Sequence, residues 1–347
     1  MNPTNWAERK KQFLAALDAD QVESQALLAG LAHIDTGIKD EKMAGVVDDT
    51  LIEPGNSWEE RQAVLEDLTG ALAEEVERRA ELMKSAYPFI ISKGTALEYR
   101  PSKTGVYEFC LAAARNPTGA LEGYPRSSAI FEWIARDVLV SYLGNGANGF
   151  RAGAPTYPCE GRGAGTRETF AALEGKCGEF TWNPAPGLPP DPSHQDLKDA
   201  GLDIVVWKPW PDGRLAQLFA LGQCACGKND INVRKGRELS LVRLGNWLRP
   251  ICHAPPVRCF LAAHHVPNTV ELHILSGEAG LVFDRARIAL LAEASPERVK
   301  SPEGIDYHQM ARMYITPPAA RPEPAQPQRT AGAAPRSRRR GSAPRLS

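Results

Sequence analysis

The chain has 347 residues, 43% hydrophobic and 24% charged, an ordinary balance for a soluble globular protein with room for two domains. No run approaches about eighteen apolar residues, which argues against a membrane span. The opening MNPTNWAERKKQF lacks an apolar signal core, so a cytoplasmic protein is expected. The net charge of −1 excludes a uniformly basic nucleic-acid binder, but Arg321 to Ser347 hold seven arginines against one glutamate. Attraction to phosphates must then come from the tail or from a local patch.

The first 125 residues read as a helical region. A helix is expected from about Trp6 to Leu31. A second opens with Ser57 and Glu60 at capping-box spacing, and Trp58, Leu65, Leu68, Leu72 and Val76 recur at helical intervals. YPFIISKGTALEYR reads as a short extended connection and VYEFCLAAAR as another helix. Nothing here carries chemistry, so packing or docking of a partner protein is the expected role.

SSAIFEWIARDVLVSYLG reads as a helix with Ile130, Ile134, Val138 and Tyr142 on one face. It stops at Gly144, in a loop read as GNGANGFRAGAP. TRETFAALEGKCG suggests a short helix and NPAPGLPPDPS a loop. DIVVW, the turn cluster PWPDGR and LAQLFALG then form a hairpin signal. Both arms are continuously apolar, which predicts a sheet covered on both faces. RKGRELSLVRLGNWL reads as a helix, VRCFLAAHH as a buried strand, and VFDRARIALLAEA as a final helix stopped at Ser295–Pro296. The tail PPAARPEPAQPQRTAGAAPRSRRRGSAPRLS has no periodicity and is expected to be disordered. Its cluster of Arg336, Arg338, Arg339 and Arg340 offers a nonspecific nucleic-acid or partner arm.

The hairpin carries the chemistry. Asp203 lies ten residues before Gly213 and Gln223 ten after it, so a turn centred there sets the two opposite each other on neighbouring strands, about 5 Å apart. A carboxylate and an amide oxygen are hard ligands suited to Mg²⁺ or Mn²⁺. A metal with its waters would satisfy a buried Gln223 that a dry core would not. Glu132, on the preceding helix, is a candidate third group. Asp199 reads as a loop residue. Arg151 could touch phosphate, although an exposed loop arginine explains it equally well.

Helix, three strands, helix, strand over about 128–265, with Asp203 and Gln223 on the hairpin, resembles the PD-(D/E)xK (restriction-endonuclease-like) nuclease superfamily in a Gln-containing variant. The resemblance implies an α/β fold with a nuclease-like domain over 126–315, between the helical region 1–125 and the tail 316–347. It implies a Mg²⁺-dependent endodeoxyribonuclease, of the kind common in restriction and anti-phage defence. Asp203, Gln223 and Glu132 would hold the metal, with the backbone carbonyl of Cys224. DNA is the expected partner, and double-strand cleavage would favour a homo-oligomer. The family pattern places a lysine two residues after the acidic position, where this chain has Ala225. Lys235 or Lys228, on the following segment, would have to replace it. Lys208 has the opposite strand parity to Asp203. Ala225 also keeps open a noncatalytic nucleic-acid or partner-binding subunit.

Seven cysteines at irregular spacing do not form a disulfide framework. A zinc site from Cys224, Cys226, Cys252, His253, Cys259, His264 and His265 is a rival, but CxC followed by a gap matches no familiar finger. A Cys224–His nucleophilic site is weaker still. GRGAG and GNGANG fit neither the P-loop nor the dinucleotide pattern.

Overall fold

A computed structural model describes residues 6–34, 58–92, 96–152, 174–175, 178–188, 201–227, 239–250 and 254–316. The fold is mixed α/β, with eight helices among these residues. Lys228, Lys235, Asp199, Cys252, His253 and the basic tail lie outside them, as does nearly all of the helix expected at TRETFAALEGKCG.

Helix α1 (Trp6–Ala29) ends at Gly30, whose φ of 86° suits glycine. Strand β1 (Leu31–His33) follows, and α2 (Trp58–Met83) packs on α1. Leu72 and Val76 are buried and Leu68 partly so, as the helical spacing requires. YPFIISKGTALEYR is more than a connection. It supplies β2 (Phe89–Ser92) and β3 (Ala96–Tyr99), which with β1 make a three-stranded antiparallel sheet in the order β1-β3-β2. Helix α3 (Val106–Arg115) coincides with VYEFCLAAAR.

Helix α4 (Ser127–Leu143) buries Ile130, Ile134 and Val138 completely. Tyr142, expected on the same face, is 48% exposed and meets the edge of Phe283 instead. The loop reading after Gly144 needs correction. Asn148–Arg151 is a strand, β4, because its backbone pairs with the hairpin. After the short β5 (Phe180–Trp182), the hairpin forms as expected. Strand β6 (Ile204–Lys208) lies antiparallel to β7 (Leu218–Ala225), with Ile204 opposite Gly222. Strand β7 runs past the LAQLFALG arm through Gln223 to Ala225.

Residues 239–250 correct another expectation. Only α5 (Leu241–Gly245) is helical there, and Leu248 already belongs to β8 (Leu248–Pro250), paired with Trp182 of β5. Strand β9 (Val257–Ala262) is the buried strand expected at VRCFLAAHH, although the two histidines lie beyond it. Helix α6 (Thr269–Ala279), not anticipated, leads to β10 (Leu281–Phe283). Asp284 then accepts the Arg287 N–H at 3.1 Å as the cap of α7 (Arg285–Ala294), which is why Val282 and Phe283 are strand rather than helix. A further helix, α8 (Tyr307–Ile315), replaces α7 as the last described element.

The five-stranded sheet has the order β10-β9-β7-β6-β4; β7, β9 and β10 are parallel, and β6 is antiparallel to both its neighbours. Ile204, Val206, Ala220 and Leu261 face α4. On the other side, Val205, Phe219 and Leu221 lie under Leu239, Leu244 and Trp247, and Phe260 and Ala262 under Leu275 of α6. Both faces are covered, as the apolar arms predicted. The α4-side core also contains α1–α3, α7 and α8, so it runs unbroken across residue 125. The described residues, from 6 to 316, belong to one compact unit.

Candidate functional site

Strand directions gather the chemistry. The start of β6 lies at the same end of the sheet as the last residues of β4, β7, β9 and β10. In open α/β sheets, the carboxyl ends of the strands are where ligands bind. Asp203, Arg151, Gln223, Cys224, His264, His265 and Asp284 all sit at this end.

The pairing register extends to Asp203 and Gln223, one step beyond Ile204 and Gly222. The ladder is irregular there. The Asp203 N–H donates to the Gly222 carbonyl at 2.9 Å, and the Cys224 N–H donates to the Asp203 carboxylate at 2.6 Å. A side-chain oxygen thus stands where a backbone carbonyl would normally accept. Gly222 is required at this point. A Cβ there would lie 2.7 Å from Ile204 Cδ1 and closer still to Cγ1.

Gln223 is buried, and its Oε1 accepts the Leu239 N–H at 3.2 Å. Leu239 packs with Leu221 and Phe219, so the amide faces away from α4. Glu132, on α4, is on the other side of the sheet. Its Oε2 accepts from Arg151 Nε at 2.9 Å and Nη2 at 2.6 Å, and the Arg151 Cζ lies 4.8 Å over the Trp133 ring. Arg151 is therefore not an exposed loop residue; its side chain is 11% exposed. The Cys224 thiol feels Asp203, Glu132 and Arg151 together. Burial first, then the two carboxylates, push it well above the usual thiol range, so it stays neutral and unsuited to attack. Ala225 is buried where the lysine was wanted, and Lys208 is at the far end of β6, paired with Leu218.

Among the described residues, no three His, Cys, Asp or Glu side chains are grouped so as to hold a metal ion, for magnesium or for zinc alike. Asp203 and Glu132 offer hard oxygens. However, Arg151 occupies Glu132, and Gln223 is turned toward Leu239. The residues named from the sequence do not by themselves compose a metal site in this arrangement.

A second cluster at the same end was not found from the sequence. Arg79, fully buried in α2, donates to Glu75 at 2.7 Å, to Asp20 and Glu23 at 2.8 Å, and to the Ala16 carbonyl at 3.0 Å. Arg285 reaches Asp20 and the Ala263 carbonyl, and the hydroxyls of Tyr87 and Tyr107 both donate to Glu23 at 2.8 Å. His265 Nδ1 lies 3.1 Å from Asp284, and its Nε2 lies 2.8 Å from Arg78 Nη2. His264 Nε2 lies 2.8 Å from the Cys226 carbonyl, just past the end of β7. One signal was available: Arg79 falls where the Leu68, Leu72, Val76 stripe continues.

No protein-family model, no curated protein and no solved structure matches this chain.

Proposed function

We propose that the chain is a DNA endonuclease built on a restriction-endonuclease-like core, hydrolysing phosphodiester bonds at the sheet end that carries Asp203. The observation that carries this reading is the order α4, β4, β6, β7, α5, β9, interrupted only by β5 and β8 of a separate two-stranded sheet, with Asp203 opposite Gln223 at the open end. It is the order the resemblance calls for, with the key carboxylate at the strand terminus where ligands gather. The requirement for Mg²⁺ or Mn²⁺ comes with the resemblance alone. Lys228 and Lys235 remain the lysines proposed to complete the site. A place in anti-phage defence, homo-oligomerisation and docking of a partner on the N-terminal helices belong to the same reading.

A second reading is favoured by two specific features: the buried Ala225, and the capture of Glu132 by Arg151. It holds that the fold binds nucleic acid or a partner without cutting. Incubation of supercoiled plasmid with the full chain separates the two, run with Mg²⁺, Mn²⁺ or EDTA beside Asp203→Ala. Metal-dependent nicking or linearisation, lost in the variant, is the expected result. Intact plasmid in every lane would favour the noncatalytic protein. No described helix is long and apolar enough to cross a membrane.

A further inference from the structure

Arg151 is the last residue of β4, opposite Ile204, and the next N–H along, that of Ala152, donates to the Asp203 carbonyl at 2.7 Å. The guanidinium is therefore held on a strand rather than a loop, on the α4 side of the sheet and one pairing step from Asp203. Its Nε–Nη2 edge is fixed on one oxygen of Glu132, and its plane rests near Trp133. Among the described residues, nothing accepts from Nη1. Both side chains of the pair keep some exposure, 11% for Arg151 and 23% for Glu132, so a ligand can reach them.

A phosphate passing a carboxylate-lined centre needs a cation beside it, because negative charge grows on its oxygens during hydrolysis. The resemblance would put a lysine at the position of Ala225, which is buried and uncharged. Arg151 is near enough to Asp203 and Glu132 that all three act on the Cys224 thiol. An arginine held by one edge is preorganised to offer the other, and a guanidinium fork matches phosphate oxygens.

We propose that Arg151 is the phosphate-binding cation of this site, oriented by Glu132, with its Nη1–Nη2 edge taking a backbone phosphate of bound nucleic acid. Glu132 is then a positioning residue rather than a metal ligand. The proposal rests on the nuclease reading for its substrate class but is tested separately from it.

Fluorescence anisotropy with a labelled duplex of about 30 base pairs, in EDTA and over a salt series, reads binding without cutting. Wild type is compared with Arg151→Ala and with Arg151→Gln, which keeps a donor toward Glu132 if the alanine variant melts early. The expected result is roughly tenfold weaker binding, with the slope of log K against log salt smaller by about one. Arg151→Lys should restore the slope. Unchanged affinity and slope in a folded variant would overturn the proposal. Plasmid cleavage run alongside keeps the two ideas apart. Cutting lost in Asp203→Ala, with binding unmoved in the Arg151 variants, leaves the nuclease and removes Arg151. Binding that weakens as expected, in a protein that never cuts, does the reverse. A wild-type chain that neither binds nor cuts removes both.

Discussion

Asp20, on α1, and Arg285, the first residue of α7, are joined by two hydrogen bonds of 2.9 and 2.7 Å across 265 positions of sequence. Both are buried, and Arg79 shares the same carboxylate at 2.8 Å. Removing one partner of such a pair leaves an uncompensated buried charge, at a cost of about 3–5 kcal/mol. Asp20→Asn and Arg285→Met should each lower stability by about that much in urea unfolding. Because they share one interaction, the double variant should lose clearly less than the two losses added together. Simple additivity would mean that the pair is not coupled.

Stability should fall as the solution is acidified, in two stages. Burial holds the His264 imidazole below its usual 6.5. The unfolded chain therefore takes up that proton first, and the contribution of a neutral His264 is present above pH 6.5 and lost as pH falls from there. Lower down, burial raises the carboxyls of Asp284 and Glu75, but their partners more than offset it and leave both below the usual range. For Asp284 the partners are His265 and the Val266 and Arg287 N–H groups; for Glu75 they are Arg79, His265 and Arg78. Their contribution is present above the ordinary carboxylate values of 3.8 and 4.5 and is lost on further acidification through the folded values. Melting temperatures from pH 8 to 3 should trace both stages, and His264→Asn should remove the upper one. A flat profile between pH 7 and 5 in the wild type would contradict the placement of His264.

The contact between Gly222 and Ile204 predicts a pair of linked variants. Gly222→Ala forces a methyl group against Ile204 beside the irregular pairing at Asp203, and overpacking of this kind costs about 1–3 kcal/mol. Ile204→Val should return part of that loss when combined with it. On the nuclease reading, Gly222→Ala should also depress cleavage more than stability, since Asp203 immediately precedes Ile204. Equal melting curves for the variant and the wild type would show that the approach is looser than described.

Thiol labelling offers a separate check on the cysteine alternatives. Burial pushes Cys110 and Cys259 up to about 12, and Cys224 is raised well above the normal thiol range. In native protein at pH 8, peptide mapping after iodoacetamide should find these three unmodified. Rapid alkylation of Cys224 would reopen the nucleophile reading.

Elements dominated by one short-range pattern were readable from the sequence. Helices α3 and α4 followed from their spacing, and the β6–β7 register followed from counting either side of Gly213, because a turn fixes what lies across from it. Strand β4 was missed because NGFR has no apolar alternation of its own; it is a strand only through its partner β6. The site was legible as a list of polar residues at a sheet end but not as an arrangement. Alternation could say that Gln223 shares the face of Leu221. It could not say that Arg151 would take Glu132, since that pairing depends on the distance between α4 and a strand that had not been recognised. Arg79 shows the opposite limit. Its position on an apolar stripe was visible, but its carboxylate partners on α1 were not, because nothing local to α2 names them.

The carboxylates of Asp20 and Glu23 make the N-terminal helices an obligate part of the sheet's architecture rather than a detachable module. A shortened chain beginning near residue 126 would keep Arg285 while discarding the groups that neutralise it, and would uncover the α4–α7 face that α1 to α3 now seal. Shortening should thus yield an insoluble product rather than a smaller folded domain. The same tie couples the two halves in descent. A change at Asp20 is tolerable only alongside one at Arg285 or Arg79, so these positions should vary together while the loops around them drift.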